Sequence, residues 1–269
     1  MKNPGDETCR HVLVRGTRIE YRPIGQWRPG APVLVFLHEG LGSVAMWRTF
    51  PQRLCACVGL PGLVYSRLGY GSSDRLPGKR SAHFMHEEAT DALPALLAAL
   101  DIEQPVLVGH SDGASIALIH AGRFPGVARA VVALAPHLFV EPVCVDSIAA
   151  ITAEFGRSDL RERLARYHDD VDGAFRGWSD VWLSEQFAAW NIEAEVAASR
   201  CPILAIQGEQ DQYGTMRQLE RIAELRPDAR LLKLPDCRHS PQFDRPDEVI
   251  AAVDAFLRDM GISAAVAQH

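Results

Sequence analysis

The segment G-H-S-D-G at residues 109–113 combines a serine with two glycines in a pattern that favours nucleophilic chemistry. An apolar run at 106–108 comes before it and small apolar residues at 114–121 follow, which predicts a strand, a tight turn and a helix. A serine on such a turn protrudes, and glycines leave room because they carry no side chain. The first turn of the helix stabilises negative charge that develops nearby. We therefore predict that Ser111 is a nucleophile; the alternative is a chance match in a loop.

With a strand before this pentapeptide and a helix after it, the chain resembles the α/β-hydrolase family. The resemblance covers most of residues 10–260. It implies a mostly parallel central sheet flanked by helices, and a triad in the chain order serine, acid, histidine.

The other two triad members follow in that order. An apolar strand ends in Gly-Glu-Gln-Asp at 208–211, where the family places its acid, which implies Asp211, with Glu209 as the alternative. The loop after the last apolar strand carries His239, which the resemblance makes the base. An arginine precedes this histidine where family members often have glycine.

These three residue types have complementary roles in acyl transfer. A serine hydroxyl is a poor nucleophile at neutral pH, so Ser111 needs His239 to take its proton. Asp211 then fixes the imidazole tautomer and stabilises the imidazolium. We expect His110, next to the nucleophile, to point away from Ser111 and to pack or bond locally.

A second turn, His-Glu-Gly-Leu-Gly-Ser at 38–43, follows the apolar run 33–37 and resembles the place where relatives turn the chain toward the substrate oxyanion. Many relatives have His-Gly here, whereas this chain has Glu39. We expect the backbone N–H of Gly40 to bind the oxyanion, with Glu39 or Leu41 as alternates, and the N–H of Asp112 to be the second donor. The Glu39 side chain either lines the pocket or bonds nearby backbone.

Aromatic residues are the candidates for the pocket wall. Trp47 follows the oxyanion turn, and core packing is its alternative role. Trp182 belongs to an aromatic group in the middle of the chain, which suggests an apolar or aromatic acyl group on the substrate. The other members of this group are Phe175, Trp178, Phe187 and Trp190. The segment 66–74 resembles a family turn that packs beside the active site.

Short apolar runs alternate with helical patterns, which predicts βαβ units and a mostly parallel sheet. The runs are 33–37, 63–65, 106–108, 130–134, 203–206 and 230–234. Near the start, segments 11–14 and 18–21 flank Arg-Gly-Thr and predict an antiparallel hairpin at the sheet edge. Helical patterns fill the gaps, at 86–100, 114–123, 216–225 and 247–260.

From 136 to 200 the alternation stops, and only helical patterns, such as 160–167 and 183–190, are present. We interpret this stretch as a helical cap inserted into the core, the alternative being ordinary core helices. The predicted organisation is a core of 1–135 and 201–269 with a cap at 136–200.

Composition excludes several classes of protein. The 269 residues are 47% hydrophobic, with 28 basic and 34 acidic side chains and a net charge of -6, which argues against a nucleic-acid partner. Six scattered cysteines without a C-x-x-C pair predict reduced thiols and no zinc site. Residues 1–7 are polar and show no signal peptide, and no apolar run is long enough to span a membrane. We expect a cytoplasmic protein, monomeric or homodimeric, without metal or cofactor.

The sequence thus predicts a serine hydrolase that acts through an acyl-enzyme on a small carboxylic ester, thioester or lactone. A carbon–carbon bond hydrolase of aromatic-ring breakdown shares the fold and triad and is the closest alternative. A dehalogenase is disfavoured because it would have aspartate in place of Ser111. A non-catalytic ligand-binding protein on the same fold is the alternative from another class, since fold does not determine function.

Overall fold

The apolar runs form the parallel part of one eight-stranded sheet in the computed structural model, which describes residues 8–262. The segment 1–7, for which the sequence predicts no signal peptide, lies outside the described residues. The parallel strands are β3 (Pro32–Leu37), β4 (Gly62–Tyr65), β5 (Gln104–His110), β6 (Ala130–Leu134), β7 (Ile203–Gly208) and β8 (Arg230–Leu234). Strands β4, β6 and β7 are buried along their whole length, as expected of strands covered on both faces.

The predicted hairpin is confirmed. Strands β1 (Arg10–Val14) and β2 (Thr17–Ile24) pair antiparallel at one edge, and β2 pairs antiparallel with β4. The strand order is β1-β2-β4-β3-β5-β6-β7-β8. The chain therefore runs from β3 outward to β4 and then returns to the other side of β3 as β5. This reversal opens a crevice at the carboxyl ends of β3 and β5, where sheets of this type bind ligands.

Helices cover both faces of the sheet, because alternate residues of each inner strand point to opposite sides. On β3, Leu34 and Phe36 pack in the cluster with α1 (Phe50–Val58) and α11 (Pro246–Asp259), which follows the short helix α10 (Pro241–Asp244). Val33, Val35 and Leu37 pack on the other side. The helices there are α2 (Phe84–Glu87), α3 (Leu93–Ala99), α4 (Asp112–Arg123), α8 (Glu193–Ala198) and α9 (Arg217–Leu225).

The helix predicted for 86–100 is present but contains an irregular turn. Five residues, Glu88–Ala92, form a π-helical turn between α2 and α3. Pro94, two residues after this turn, has no N–H to donate to the preceding turn, which accounts for the changed hydrogen-bond pattern.

Between β6 and β7 the described chain is helical, apart from an isolated bridge between Phe139 and Asn191. The helices are α5 (Pro142–Phe155), α6 (Leu160–Leu164), α7 (Val171–Trp182) and α8. Helix α8 packs on α4: Gly122 faces the backbone of Glu195, and a methyl group on this glycine would overlap the Glu195 carbonyl. The last helix of the segment thus belongs to the layer of helices on the sheet.

The predicted helix 183–190 is wrong. That stretch has only a 3₁₀ turn, Glu185–Phe187, and the long helix is α7. The two glycines of α7 lower its intrinsic helix propensity. Packing overrides this cost, because one face of α7 is buried, and the Asp170 carboxylate caps the helix by accepting from Gly173 N at 3.0 Å. The buried face contains Val171, Ala174, Phe175, Trp178, Val181 and Trp182.

Candidate active site

Ser111 lies on the turn between β5 and α4, with a strained backbone at φ 53° and ψ −120°. A non-glycine residue in this region costs about 1–3 kcal/mol, so surrounding contacts must hold it there. The Ser111 N–H donates to Leu134 O at 2.9 Å, and Ser111 O accepts from Ala114 N and Ser115 N. The turn predicted for 109–113 is therefore present, with the serine at its tip.

The glycines on either side are required by close approaches of backbone. A methyl group on Gly113 would overlap the carbonyl oxygen of Leu37 at the end of β3. A methyl group on Gly109 would overlap the backbone of Gly113 and Ala114. Both glycines thus allow α4 to start directly against the strand ends, which the G-x-S-x-G pattern predicted.

The predicted acid and base are in contact. His239 Nδ1 lies 2.8 Å from Asp211 Oδ1 and 2.9 Å from Oδ2. Asp211 Oδ1 also accepts from Tyr213 N at 2.8 Å, and Oδ2 accepts from Gln207 Nε2 at 3.1 Å. Glu209, the alternative acid, is exposed, whereas the Asp211 side chain is 1% exposed.

The environment of Asp211 keeps the carboxylate charged. Burial favours the neutral acid, but the charge of His239 and the hydrogen bonds from His239 and Tyr213 N outweigh it, so the pKa of Asp211 is lowered. An ionised Asp211 orients the His239 ring through Nδ1 and leaves Nε2 free for proton transfer.

Ser111 and His239 line the same cavity, of about 100 Å³. Within the described residues, no hydrogen bond joins the Ser111 hydroxyl to the His239 ring. The structure thus brings Asp211 and His239 into contact and places Ser111 in the wall of the same cavity as His239. Such hydrogen bonds are often long without substrate and tighten when substrate binds.

The side chains of Glu39 and His110 contact each other, and His110 also bonds to the backbone of His239. His110 Nε2 donates to the backbone carbonyl of His239 at 2.7 Å, and His110 Nδ1 lies 3.0 Å from Gln242 Nε2 and 3.4 Å from Glu39 Oε2. His110 was expected to bond locally; its partners lie 71 to 132 residues away in sequence. The place of His110 next to Ser111 in the sequence did not indicate these distant partners.

The Glu39 side chain lines the cavity and also contacts His110. Burial raises the pKa of Glu39, but the hydrogen bond and charge of His110 and the charge of Arg67 reverse the effect, so its pKa is lowered. The Arg67 guanidinium also donates to the backbone carbonyls of His38 and Glu39, with Nη2 at 3.0 Å from Glu39 O. Buried Arg67 thus holds the backbone of the turn at 38–43 in place.

Gly40 and Asp112, the expected oxyanion donors, both line the cavity beside Ser111. The indole of Trp178 packs directly on Gly40, where a methyl group would overlap Nε1 of the ring. Trp182 lines the same cavity and donates from Nε1 to Asp112 Oδ1 at 3.2 Å.

Trp47 does not line this cavity and is removed from the set of substrate-binding candidates. It is 2% exposed, with its ring 5.5 Å from that of Phe36 and 6.1 Å from that of Phe50. The turn at 38–43 is followed by α1, which covers one face of the sheet. The Trp47 indole is therefore buried in the core beside that helix.

Four lining residues were not identified from the sequence, namely His137, Cys144, Ile148 and Tyr213, whereas Leu41 and Trp178, which were named, also line the cavity. His137 is fully buried, and burial together with the charge of His239 lowers its pKa to about 3, so its imidazole is neutral. Tyr213 stands two residues after Asp211, and this neighbourhood is the only sequence signal among the four. The others come from separate segments that meet only in the fold.

A larger cavity, of about 550 Å³, lies between the edge strands and α2–α3, with Tyr65 and Phe84 in its wall. None of Ser111, Asp211 and His239 lines it, so the smaller cavity carries the candidate chemistry. Within residues 8–262, no three histidine, cysteine or acidic side chains are grouped as metal ligands, and no helix is long and apolar enough to cross a bilayer.

Comparison with known families agrees with this architecture. The model of the alpha/beta hydrolase family matches residues 34–252, and the chain belongs to this family. It is similar to a 2-(acetamidomethylene)succinate hydrolase of Mesorhizobium japonicum, with 24% identity over 84% of this chain and 88% of the relative. A 2-hydroxymuconate semialdehyde hydrolase of a Pseudomonas species is 24% identical over 96% of both chains.

Among solved structures, an enol-lactonase from Burkholderia xenovorans superposes with a TM-score of 0.71. It is 22% identical, and the match covers 93% of this chain and 100% of the enol-lactonase. This likeness establishes the same fold. The predicted fold class, a mostly parallel sheet flanked by helices, is therefore confirmed.

Proposed function

We propose that the protein is a serine hydrolase that cleaves a small carboxylic ester, thioester or lactone through an acyl-enzyme. The observation that carries the proposal is the Asp211–His239 pair on the same small cavity as Ser111, which sits on a strained turn. Structural acids and histidines pair elsewhere in proteins, but this pair shares a cavity with a serine held between a strand and a helix.

In the proposed first step, Ser111 Oγ attacks the carbonyl carbon while His239 Nε2 takes the hydroxyl proton. Asp211 stabilises the resulting imidazolium. The carbonyl oxygen becomes an oxyanion that the backbone N–H groups of Gly40 and Asp112 bind. His239 then gives the proton to the leaving alcohol or thiol, the carbon–oxygen or carbon–sulfur bond breaks, and the acyl group stays on Ser111.

In the second step, a water molecule enters and loses a proton to His239 as it attacks the acyl carbon. The tetrahedral intermediate collapses, Ser111 recovers its proton, and the carboxylic acid leaves. In a lactone the released hydroxyl stays on the product. The small cavity favours a short acyl group, since pockets for larger ligands measure about 300–1,000 Å³. Its apolar wall, with Leu41, Ile148 and Trp182, suits apolar or aromatic carbon.

The helical segment 136–200 contributes to this proposal as a cap. Ile148 of α5 and the two indoles of α7 line the cavity, so these helices close it over the strand ends. Helix α8 packs on α4 and is not part of the closure.

A carbon–carbon bond hydrolase is the second candidate, favoured by the similarity to a 2-hydroxymuconate semialdehyde hydrolase over 96% of both chains. The two candidates differ in the bond broken, so one substrate panel separates them. We expect release of p-nitrophenol from short-chain esters and no cleavage of a ring-cleavage dienone; the reverse result would favour the second candidate.

A fluorophosphonate probe distinguishes either enzyme from a binding protein, because it reacts only with an activated serine. We expect labelling of the wild-type chain and none of Ser111→Ala. A chain that neither labels nor hydrolyses any ester, thioester, lactone or dienone would contradict the proposal of a hydrolase.

A further inference from the structure

The side chain of His168 contacts two turns that lie outside its own helical segment, 136–200. His168 lies between α6 and α7 and is buried. Its Nδ1 is 3.0 Å from Gly71 N, and its Nε2 is 2.9 Å from Leu41 O. The backbone N–H of Asp169 also donates to Gly71 O at 2.9 Å. The segment is therefore fastened to Gly71 at two points, and the His168 ring extends from there to Leu41.

These two partners fix the tautomer of His168. The backbone N–H of Gly71 can only donate, so Nδ1 accepts and carries no proton. The single proton of the neutral ring is then on Nε2, which donates to Leu41 O. Burial lowers the pKa of His168, although the hydrogen bond to Leu41 O opposes this effect, so the environment favours the neutral ring that both contacts need.

The carbonyl that accepts from His168 belongs to the peptide between Leu41 and Gly42. The N–H of the same peptide, that of Gly42, donates to Glu39 O at 3.1 Å. Because the peptide is trans and planar, its carbonyl and its N–H point in opposite directions. A donor at Leu41 O therefore also keeps the Gly42 N–H aimed at Glu39 O, and His168 acts on the Glu39 carbonyl through one rigid peptide.

The Glu39 carbonyl in turn determines the direction of the proposed oxyanion donor. Glu39 O accepts from His38 Nδ1 at 2.7 Å, from Arg67 Nη2 at 3.0 Å and from Gly42 N. The peptide of this carbonyl carries the N–H of Gly40, which must point away from those donors. Gly40 lines the candidate active-site cavity, so the donors on Glu39 O set the direction of a backbone N–H in the cavity wall.

The same helical segment contacts this turn at a second point. Helix α7 begins three residues after His168, and the Trp178 indole of this helix packs on the α-carbon of Gly40. Such packing restricts where the turn lies, whereas a hydrogen bond to a carbonyl also sets the direction of the peptide. His168 supplies this directional contact from the segment.

We propose that His168 is a positioning residue for the oxyanion site: its Nε2–H, donated to Leu41 O, holds the Gly40 N–H in the direction that binds the oxyanion. This rests on the proposed function, since it assigns a role within the same site. The effect falls on the transition state, in which the oxyanion has formed, and little on binding of the uncharged ester carbonyl. It also couples the helical segment to the chemistry, because a displacement that breaks this hydrogen bond releases the turn.

Two substitutions separate the roles of the two ring nitrogens. His168→Asn places an amide oxygen near the position of Nδ1 and keeps an acceptor for Gly71 N–H, but it is too short to reach Leu41 O. His168→Gln extends an amide nitrogen toward the position of Nε2 and restores a donor to Leu41 O. With p-nitrophenyl butanoate, we expect His168→Asn to lower kcat about 10–100-fold with KM within about threefold, and His168→Gln to stay within about fivefold of the wild-type kcat.

A transition-state analogue measures the oxyanion contact directly. When trifluoromethyl butyl ketone binds, Ser111 Oγ bonds to the ketone carbon, the hydroxyl proton passes to His239, and the ketone oxygen becomes an alkoxide where the oxyanion forms. We expect the Ki of this ketone to rise in His168→Asn by about the factor by which kcat/KM falls. An unchanged Ki in His168→Asn would overturn the inference, since a general loss of structure, rather than of the oxyanion contact, would then lower kcat.

His120→Asn is the matched control for the loss of a buried histidine that bonds to backbone. His120, on α4, has its Nδ1 2.9 Å from Ala89 O and does not line the cavity. We expect this variant to lose stability in urea and to keep the wild-type kcat and Ki. A wild-type kcat in His168→Asn, or equal losses in His168→Asn and His168→Gln, would contradict the role of the donor to Leu41. If His168→Asn does not fold, a folded His168→Gln with kcat more than about tenfold below the wild type contradicts it alone.

Failure of the proposed function gives a different result. If the fluorophosphonate does not label Ser111 and no ester is cleaved, both the hydrolase assignment and this inference are wrong. If the probe labels Ser111 and His168→Asn hydrolyses the ester at the wild-type rate, only the positioning role of His168 is wrong.

Discussion

The imidazole of His110 donates from Nε2 to the backbone carbonyl oxygen of His239 at 2.7 Å. The residue before the proposed nucleophile therefore holds the loop that carries the proposed base. His110 Nδ1 lies 3.0 Å from Gln242 Nε2 and 3.4 Å from Glu39 Oε2, and the His110 side chain is buried. The separation between Ser111 and His239 thus depends on a side chain that need not touch substrate.

We expect His110→Ala to lower kcat about 10–100-fold with a smaller effect on KM, since a displacement of about 1 Å at a reacting group has an effect of this order. Steady-state kinetics and the rate of fluorophosphonate labelling measure it. His110→Gln, which keeps an N–H donor, should recover part of the activity. If both variants lose folding stability and labelling rate equally, His110 acts on the core rather than on His239.

The choice of Asp211 over Glu209 as the acid gives a second prediction. Asp211→Asn removes the charge that stabilises the imidazolium and permits the wrong tautomer of His239, so kcat should fall about 10³–10⁴-fold. Glu209→Gln alters an exposed side chain on the same turn and should retain at least half of wild-type activity. The rate of ester hydrolysis by the two purified variants tests this prediction. An inactive Glu209→Gln together with an active Asp211→Asn would contradict the assignment of Asp211 as the acid.

His137 predicts how stability depends on pH. Its pKa is lowered to about 3 by burial and by the charge of His239, whereas an unfolded histidine titrates near about 6.5. Between these values the unfolded chain binds a proton that the folded chain does not, so stability falls as the pH is lowered from about 6.5 toward 3. Above about 6.5 both states are neutral at this position, and the contribution does not change.

We therefore expect the free energy of unfolding of His137→Phe to fall less than that of the wild type when the pH is lowered from 7 to 5. Urea unfolding at the two pH values measures the difference. His83→Asn, which alters an exposed histidine, is the control and should follow the wild type. Parallel losses in the wild type and His137→Phe would show that other groups dominate the acid sensitivity.

Much of the fold follows from local sequence. Apolar runs gave the parallel strands because both faces of those strands are covered, and the G-x-S-x-G turn could be placed because its glycines face backbone that leaves no room for a methyl group. The hairpin of β1 and β2 could likewise be predicted from residues that are close in sequence. These features depend on residues that are adjacent or a few positions apart.

Features that depend on distant contacts were not predictable in the same way. Helix α7 forms although Gly173 and Gly177 disfavour it, because its aromatic face packs over the strand ends. Trp47 packs in the core because α1 follows its turn, and no pattern in the sequence showed that direction. The cavity beside Ser111 likewise brings together Glu39 and Asp112, which are 73 positions apart in sequence and come close because β3 and β5 end side by side.

Gly113 provides a test of the architecture that is independent of substrate. A methyl group there would overlap the carbonyl of Leu37, which is backbone at the end of a central strand and has no side-chain freedom to move away. We expect Gly113→Ala to lower the free energy of unfolding by at least about 2 kcal/mol, with loss of labelling at Ser111, because the start of α4 must shift.

Gly156→Ala is the matched control, since nothing lies within 4 Å of the added methyl group and its φ of −95° suits any residue. It should leave stability unchanged or raise it by about 0.4–1 kcal/mol, because alanine restricts the unfolded chain. Denaturant unfolding of both variants provides the comparison. A Gly113→Ala variant as stable and as readily labelled as Gly156→Ala would mean that α4 does not approach β3 as closely as the structure has it.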